Sequence, residues 1–154
     1  MSKRTRQTVA ALSLSAAGFV GLLAYEGYSG SAYTPVPGDV PTIGFGTTQG
    51  VKEGDTITPP EAVKRALEDV QAYEGAIKSC VKVPLFQHEY DAYASLAYNI
   101  GPTAFCGSTL VRKLNQYDYE GACKEILRWD KFRGKTLRGL TIRRQKEYKQ
   151  CSGQ

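Results

Sequence analysis

Residues 25–48 have the sequence YEGYSGSAYTPVPGDVPTIGFGTT. Glu26 stands at the end of an apolar, helix-like stretch, and a segment rich in glycine and proline follows it. Glycine permits turns and a close approach of the backbone, whereas proline stiffens the path between the turns. A carboxylic acid at such a junction can donate a proton to a leaving group, and the loop beyond it can present Asp39 and Thr42 across a cleft. The pattern therefore indicates an active site.

Outward from this stretch, the hydrophobic periodicity predicts one mostly helical domain. We expect a helix from about Thr8 to Gly27 and a small irregular sheet from about Tyr33 to Ile57. A long amphipathic helix should run from Pro59 to about Ser79, because Thr58 and Glu61 have the spacing of a capping box with proline at the first helical position. This helix is a natural connector between two lobes.

The second half of the chain is predicted to be helical throughout. Pro84 should open a helix that ends at Gly101-Pro102, with an apolar face spaced by steps of three and four residues: Phe86, Tyr90, Tyr93, Ala97 and Ile100. Shorter helices are expected at 109–115, 119–129 and 141–150. The predicted fold class is thus α+β and predominantly helical, with a small β lobe and a helical lobe joined by the long helix and an active-site cleft between them.

The charge balance narrows the class of partner. The 154 residues carry 20 Lys and Arg against 15 Asp and Glu, a net charge of +5, and much of the excess lies in the last third. Such a chain favours anionic polymers or anionic lipid. Because the sequence has no recognition-helix pattern, zinc-ligand spacing or aromatic RNA-binding motif, we expect no nucleic-acid partner.

Several segments resemble, in order, the phage-type lysozymes, which are the muramidases of glycoside hydrolase family 24. The resemblance covers roughly residues 22–150. An isolated TIGFG turn would be weak evidence for the family, whereas the whole set of matching segments in the same order is strong evidence. The matching segments are Glu26-Gly27, Ala32-Tyr33, Pro41 to Gly46, Val83 to Leu85, Asp91-Ala92, Ser95 to Gly101, Ala104-Phe105, Ser108 to Leu110, Trp129 and Gly139 to Arg144.

The resemblance implies a lysozyme-like fold and roles for individual residues. Glu26 matches the general acid, Thr42 matches the threonine that orients the water, and Arg143 matches an arginine near the acid. The positions of the family's catalytic aspartate hold Pro35 and Val36 here, so we take Asp39, the one carboxylate between Glu26 and Thr42, as its displaced equivalent. A turn aspartate is the competing interpretation of Asp39.

The resemblance also covers positions that line the sugar-binding cleft and one position in the TIGFG-like turn. Tyr98, Asn99 and Ser108 match the cleft positions, although Tyr98 could equally belong to the core. Many relatives carry histidine where this chain has Thr47, so an ion pair at that position should be absent.

The amino terminus has the features of an export signal. Lys3, Arg4 and Arg6 precede the uncharged segment TVAALSLSAAGFVGLLA at 8–24, which is short and weakly apolar for a transmembrane helix. Three interpretations remain open: a cleaved signal peptide, a permanent anchor, and the signal-arrest-release segment found in some phage lysozymes. We favour the third, with 1–27 as the signal-anchor segment and 25–154 as the muramidase domain.

The four cysteines agree with export. Cys80, Cys106, Cys123 and Cys151 allow three pairings, and none lies in a metal-ligand spacing. In an oxidising compartment we expect two bridges and, by position, we favour Cys80 with Cys106 and Cys123 with Cys151. Four buried free thiols are the alternative.

Taken together, the sequence predicts an endolysin that hydrolyses the β-1,4 bond between N-acetylmuramic acid and N-acetylglucosamine and causes host cell lysis. We expect no metal or organic cofactor, a monomer, and peptidoglycan as the partner. The enzyme should first be tethered to the host inner membrane in an inactive form and then be released to the periplasm. Two alternatives remain: a lytic transglycosylase, and a cationic membrane-disrupting protein in which Glu26 is incidental.

Overall fold

The computed structural model describes residues 4–154, so the predicted role of Lys3 lies outside the described residues. Residues 4–154 are mostly helical and form two small antiparallel sheets. The α-helices are α1 Ala16–Glu26, α2 Pro59–Cys80, α3 Gln87–Ile100, α4 Pro102–Cys106, α5 Thr109–Asn115, α6 Tyr119–Glu125 and α7 Arg138–Cys151. The strands are β1 Ser29–Tyr33, β2 Thr42–Gly44, β3 Lys131–Phe132 and β4 Lys135–Thr136, and short 3-10 helices lie at Val9–Ala11 and Ile126–Arg128.

The described residues form two compact units. Unit 1 consists of residues 4–18 together with Tyr73–Gln154, and unit 2 consists of Phe19–Ala72. The division falls inside α1 and inside α2, and it groups the sheet of β1 and β2 apart from helices α3 to α7. The predicted α+β fold, mostly helical with a small β part, is confirmed.

Unit 1 is built around α3. Every residue from Glu89 to Ala97 is buried, as expected of a helix that other elements surround on all sides. The predicted apolar face is confirmed for Tyr90, Tyr93 and Ala97. Neighbouring helices and the segment between α2 and α3 complete the core with Ile77, Val81, Leu85, Phe105, Leu110, Leu114 and Ile126.

Both predicted disulfides are present. Cys80 pairs with Cys106 and Cys123 pairs with Cys151, so the end of α2 is linked to α4 and α6 is linked to the end of α7. Each bridge closes a loop of similar length, with sequence separations of 26 and 28 residues. Closing loops of this length reduces the entropy of the unfolded chain and stabilises the fold by about 3 kcal/mol per bridge.

The predicted helix from Thr8 is wrong in its first part. A single 3-10 turn at Val9–Ala11 gives way to extended chain, and α1 begins only at Ala16. The physical reason is that Ser15 caps the helix. Its hydroxyl accepts a hydrogen bond from the Gly18 N–H at 3.0 Å, as the side chain of an N-cap residue does, so the helix starts directly after Ser15.

The segment before α1 is an integral part of unit 1. Gln7 exchanges two backbone hydrogen bonds of 2.8 Å with Leu85, and Leu12 is buried in the core. The Arg6 guanidinium forms a two-pronged contact with the buried Glu89 carboxylate, at 2.9 and 3.1 Å. This pairing raises the pKa of Arg6. Within residues 4–154, no helix combines the length and the apolar character needed to cross a membrane.

Unit 2 contains the irregular sheet. Strand β1 pairs with β2 in antiparallel register with an irregularity between Ser29 and Tyr33, and an isolated bridge joins Ser31 to Thr56. The sheet therefore begins at Ser29, earlier than predicted. Gly44 adopts a φ of +64°, and a Cβ there would lie 3.0 Å from the Cβ of Ala62, so both the turn and the close packing on α2 require glycine.

Candidate active site

Glu26 is the last residue of α1, and its side chain is half-buried. The helix ends here because Gly27 takes a left-handed conformation, with φ of +69°, while its N–H still bonds to the Leu23 carbonyl at 3.1 Å. The glutamate is thus held on a regular element immediately before the chain turns into β1.

Asp39 lies on the loop that connects β1 to β2. Its N–H bonds to the Val36 carbonyl at 2.9 Å, and Gly38 between them has φ of +91°, as a type II turn requires after Pro37. The side chain of Asp39 is exposed. The turn therefore fixes the backbone of Asp39 while its carboxylate stays accessible to solvent.

Thr42 opens β2 opposite Tyr33 and is 7% exposed. Its hydroxyl donates to the Val40 carbonyl at 3.3 Å, beyond the usual range for a hydroxyl donor. The strand position and the burial nevertheless restrict the side chain of Thr42.

Thr47 occupies the position at which histidine was expected in relatives, and a hydrogen bond is found there. Its hydroxyl donates to the Asp69 carboxylate of α2 at 2.6 Å. Burial raises the pKa of Asp69, and the hydrogen bond from Thr47 offsets part of that rise. The uncharged hydroxyl of Thr47 thus links the turn that follows β2 to helix α2.

The predicted sugar-binding residues Tyr98, Asn99 and Ser108 all belong to unit 1. The half-buried Tyr98 packs its ring against that of Tyr73, with centroids 5.0 Å apart. Asn99 is exposed, and its Oδ1 accepts a hydrogen bond from Arg144 at 2.8 Å. Because Arg144 holds the amide oxygen of Asn99, the side chain is fixed and its NH₂ group keeps one orientation.

Ser108 serves as the N-cap of α5. Its hydroxyl accepts from the Val111 N–H at 3.2 Å and donates to the Phe105 carbonyl at 2.6 Å. These two hydrogen bonds are a sufficient structural reason for a serine at this position. Its role as a sugar ligand stays a prediction.

Arg143 is buried in a cluster of charges that the sequence did not predict. Its Nε donates to Glu147 at 3.1 Å, and its Nη2 donates to the Ser95 carbonyl at 3.2 Å. The Nε of Arg144 lies 2.9 Å from the same carboxylate, and the Ser95 hydroxyl donates to it at 2.6 Å. Burial raises the pKa of Glu147, and Arg144, Ser95 and Arg143 offset part of that rise.

Of the predicted site residues, unit 2 brings Glu26, Asp39 and Thr42 into one compact body, whereas unit 1 holds Tyr98, Asn99, Ser108 and Arg143. The sequence did not predict the contacts that Glu147 and Ser95 make beside Arg143, or the hydrogen bond from Arg144 to Asn99. The spacing of Arg143, Arg144 and Glu147 by three and four residues on one helix is the signal that could have indicated the contacts of Glu147 with the two arginines.

Comparison with known proteins identifies the family. Residues 23–147 match the family model described as phage lysozyme. The endolysin of Acyrthosiphon pisum secondary endosymbiont phage 1 is 41% identical over 140 residues, covering 88% of this chain and 95% of that protein. The SAR-endolysin of Pseudomonas phage phiKMV is 38% identical over 140 residues, covering 88% and 86%.

A solved structure agrees with the sequence relatives. The crystal structure of a P22 lysozyme mutant superposes with a TM-score of 0.79 at 37% identity, covering 92% of this chain and 99% of that one. The resemblance to phage-type lysozymes, including those of the signal-arrest-release kind, is confirmed. The chain therefore belongs to the phage lysozyme family of glycoside hydrolases.

Proposed function

We propose that Glu26 is the general acid with which this endolysin cleaves the β-1,4 bond between N-acetylmuramic acid and N-acetylglucosamine, and that Asp39 and Thr42 position the attacking water. The protein is a muramidase that degrades peptidoglycan and causes host cell lysis. The observation that carries the assignment of residues is local. Glu26 ends α1, β1 follows at Ser29, Asp39 lies on the loop between β1 and β2, and Thr42 begins β2, all within unit 2.

The chemistry needs two groups on opposite faces of the sugar ring. Glu26 gives its proton to the glycosidic oxygen as the bond to C1 breaks. Water attacks C1 from the other face, the Thr42 hydroxyl orients it, and the Asp39 carboxylate accepts its proton. The family implies inversion at C1, and this division of roles fits an inverting enzyme because each carboxyl group acts once.

On the substrate side, we assign Tyr98 and Asn99 to the sugar-binding surface of unit 1. Tyr98 supplies an aromatic face and Asn99 an exposed amide, which are the groups that bind polar glycans. Ser108 belongs to the same predicted surface, and Arg143 is the candidate to hold Glu26 by a charge-assisted hydrogen bond. The enzyme works on the wall as a monomer, and nucleic acid is not a partner.

Replacing Asp39 by asparagine tests the water-positioning role. Because the side chain is exposed on a turn, we expect the fold to be unchanged and turnover on purified peptidoglycan to fall about 10²-fold. Product masses measured in the same digest should show one added water per cleaved bond. Near-normal turnover would remove Asp39 from the mechanism, and anhydro products would indicate a lytic transglycosylase.

We also propose that residues 8–24 hold the newly made chain at the host inner membrane in an inactive form, before release to the periplasm. SAR-endolysins of phages phiKMV and P21 are relatives of this chain. In the folded protein Leu12 is buried in unit 1 and Gln7, just before this segment, is paired with Leu85, so the segment cannot lie in a bilayer and in the fold at once.

Fractionation of expressing cells with an activity assay on each fraction tests the tether. We expect the membrane fraction to have little activity per molecule and the released fraction to have full activity. The amount of protein in each fraction is measured by immunodetection. A membrane-bound population as active on cell wall as the released one would refute this proposal.

A further inference from the structure

None of the roles proposed above involves an exposed basic segment of unit 1. We call residues 127–138, with the sequence LRWDKFRGKTLR, the basic hairpin, because strands β3 and β4 form its centre. It carries five Lys and Arg residues and one carboxylate, Asp130, so its net charge of +4 nearly equals the +5 of the whole chain. Every residue from Lys131 to Gly139 is exposed.

The hairpin also exposes large apolar side chains. Phe132 is 48% exposed and Leu137 is 43% exposed. Phe132 pairs with Lys135, and side chains opposite each other in an antiparallel pair point to the same face of the strands. Leu137 lies two residues beyond Lys135, and its N–H continues the ladder to the Asp130 carbonyl at 2.9 Å, so it shares that face.

Neighbouring acids neutralise only part of the positive charge. Arg128 pairs with Glu125 at 3.1 Å, and the Lys131 amino group lies 3.8 Å from Asp130. Within the part of the chain that the structure describes, the charged ends of Arg133, Lys135 and Arg138 have no carboxylate partner. The tip of the hairpin therefore presents cations to the solvent.

We propose that the basic hairpin is a contact surface for an anionic phospholipid bilayer. Cations near such a surface are attracted to lipid headgroups, and apolar side chains on the same face can enter the region between headgroups and acyl chains. A hydrated glycan would use the cations but offers no apolar phase to an aliphatic side chain such as Leu137. The combination of charge and apolar exposure therefore favours lipid. This inference does not depend on the roles proposed for Glu26, Asp39 and Thr42.

Cosedimentation of the full-length protein with vesicles tests the proposal. We compare vesicles of phosphatidylglycerol mixed with phosphatidylethanolamine against vesicles of phosphatidylcholine alone. The triple variant Arg133→Gln, Lys135→Gln, Arg138→Gln should bind the anionic vesicles at least about tenfold more weakly than the wild type. The double variant Phe132→Ser, Leu137→Ser should weaken binding in high salt, where the charge contribution is screened.

Matched controls separate the hairpin from general effects. The variant Lys52→Gln, Lys64→Gln, Arg112→Gln removes the same charge from exposed positions elsewhere, and Val63→Ser with Leu67→Ser removes exposed apolar side chains from α2. Both should bind vesicles within about twofold of the wild type, and all variants should hydrolyse lipid-free peptidoglycan normally. Since the amino-terminal segment is the same in every variant, its contribution cancels.

Two results would overturn the inference. Equal losses for the hairpin triple variant and its charge-matched control would mean that net charge alone drives binding. Unchanged vesicle binding together with weaker binding to purified cell-wall sacculi would assign the hairpin to the wall instead of the membrane.

Discussion

Replacing Glu26 by glutamine is expected to lower kcat/KM on purified peptidoglycan by about 10³-fold. Glutamine keeps the size and the hydrogen-bonding capacity of the side chain but cannot transfer a proton to the glycosidic oxygen. Because Glu26 is half-buried at the end of α1, the substitution should leave the helix and the following sheet intact. Thermal unfolding followed by circular dichroism checks the fold, and release of soluble muropeptides checks activity.

The matched control is Glu53→Gln in the same unit. Glu53 is an exposed glutamate on a turn, so its replacement should leave both activity and melting temperature unchanged. Cell killing provides a second readout, since a membrane-disrupting protein would kill cells without the acid. If the Glu26→Gln protein is folded and still digests the wall at a comparable rate, another residue must supply the proton.

Local sequence patterns were sufficient to predict much of the fold. The Glu61 carboxylate accepts the Thr58 N–H at 3.0 Å, so the predicted start of α2 is confirmed by one half of the capping box. The Thr58 hydroxyl donates to the same carboxylate at 2.7 Å instead of accepting from the backbone. Helix α5 has the predicted bounds, and both cysteine pairings, which we favoured by their position along the chain, are correct.

Other features depend on tertiary contacts that the sequence pattern does not encode. Val63 and Leu67 have helical spacing, yet they are 38% and 45% exposed, because α2 packs its smaller residues Ala62 and Ala66 inward. The hairpin at 131–136 was missed because its turn uses Arg133 at a φ of +50° before Gly134, without the Asn-Gly or Asp-Gly pair that marks such turns. Helix α4 was missed because the proline that ends α3 also begins the next helix.

The candidate site shows the same division. The roles proposed for Glu26, Asp39 and Thr42 rest on one contiguous stretch, so local pattern and family resemblance were enough to nominate these residues. Ser95 and Glu147 meet only when α3 packs on α7, across 52 residues of sequence. The contacts of the buried Glu147 carboxylate with Arg143 and Arg144 can therefore be described only once that packing is known.

Replacing Glu147 by glutamine is expected to lower the free energy of unfolding by about 3 kcal/mol or more. The carboxylate is 1% exposed, and it is contacted by Arg143, Arg144 and the Ser95 hydroxyl. Glutamine carries no negative charge, so the two buried guanidiniums lose the carboxylate that balances them. The NH₂ group of the glutamine would also face groups that themselves donate hydrogen bonds. For a chain of this size, the melting temperature should fall by about 6 to 12 °C.

The exposed pair Glu120 and Lys124 provides the control, because it has the same spacing of four residues on a helix as Arg143 and Glu147. Glu120→Gln should leave the free energy of unfolding nearly unchanged, since solvent already screens an exposed pair. Arg144 also donates to Asn99, so a folded Glu147→Gln protein should show a raised KM if Asn99 binds the glycan. Equal stability of the two variants would mean that the buried cluster adds no more to folding than a surface ion pair, and that the packing of α3 on α7 depends on its apolar contacts alone.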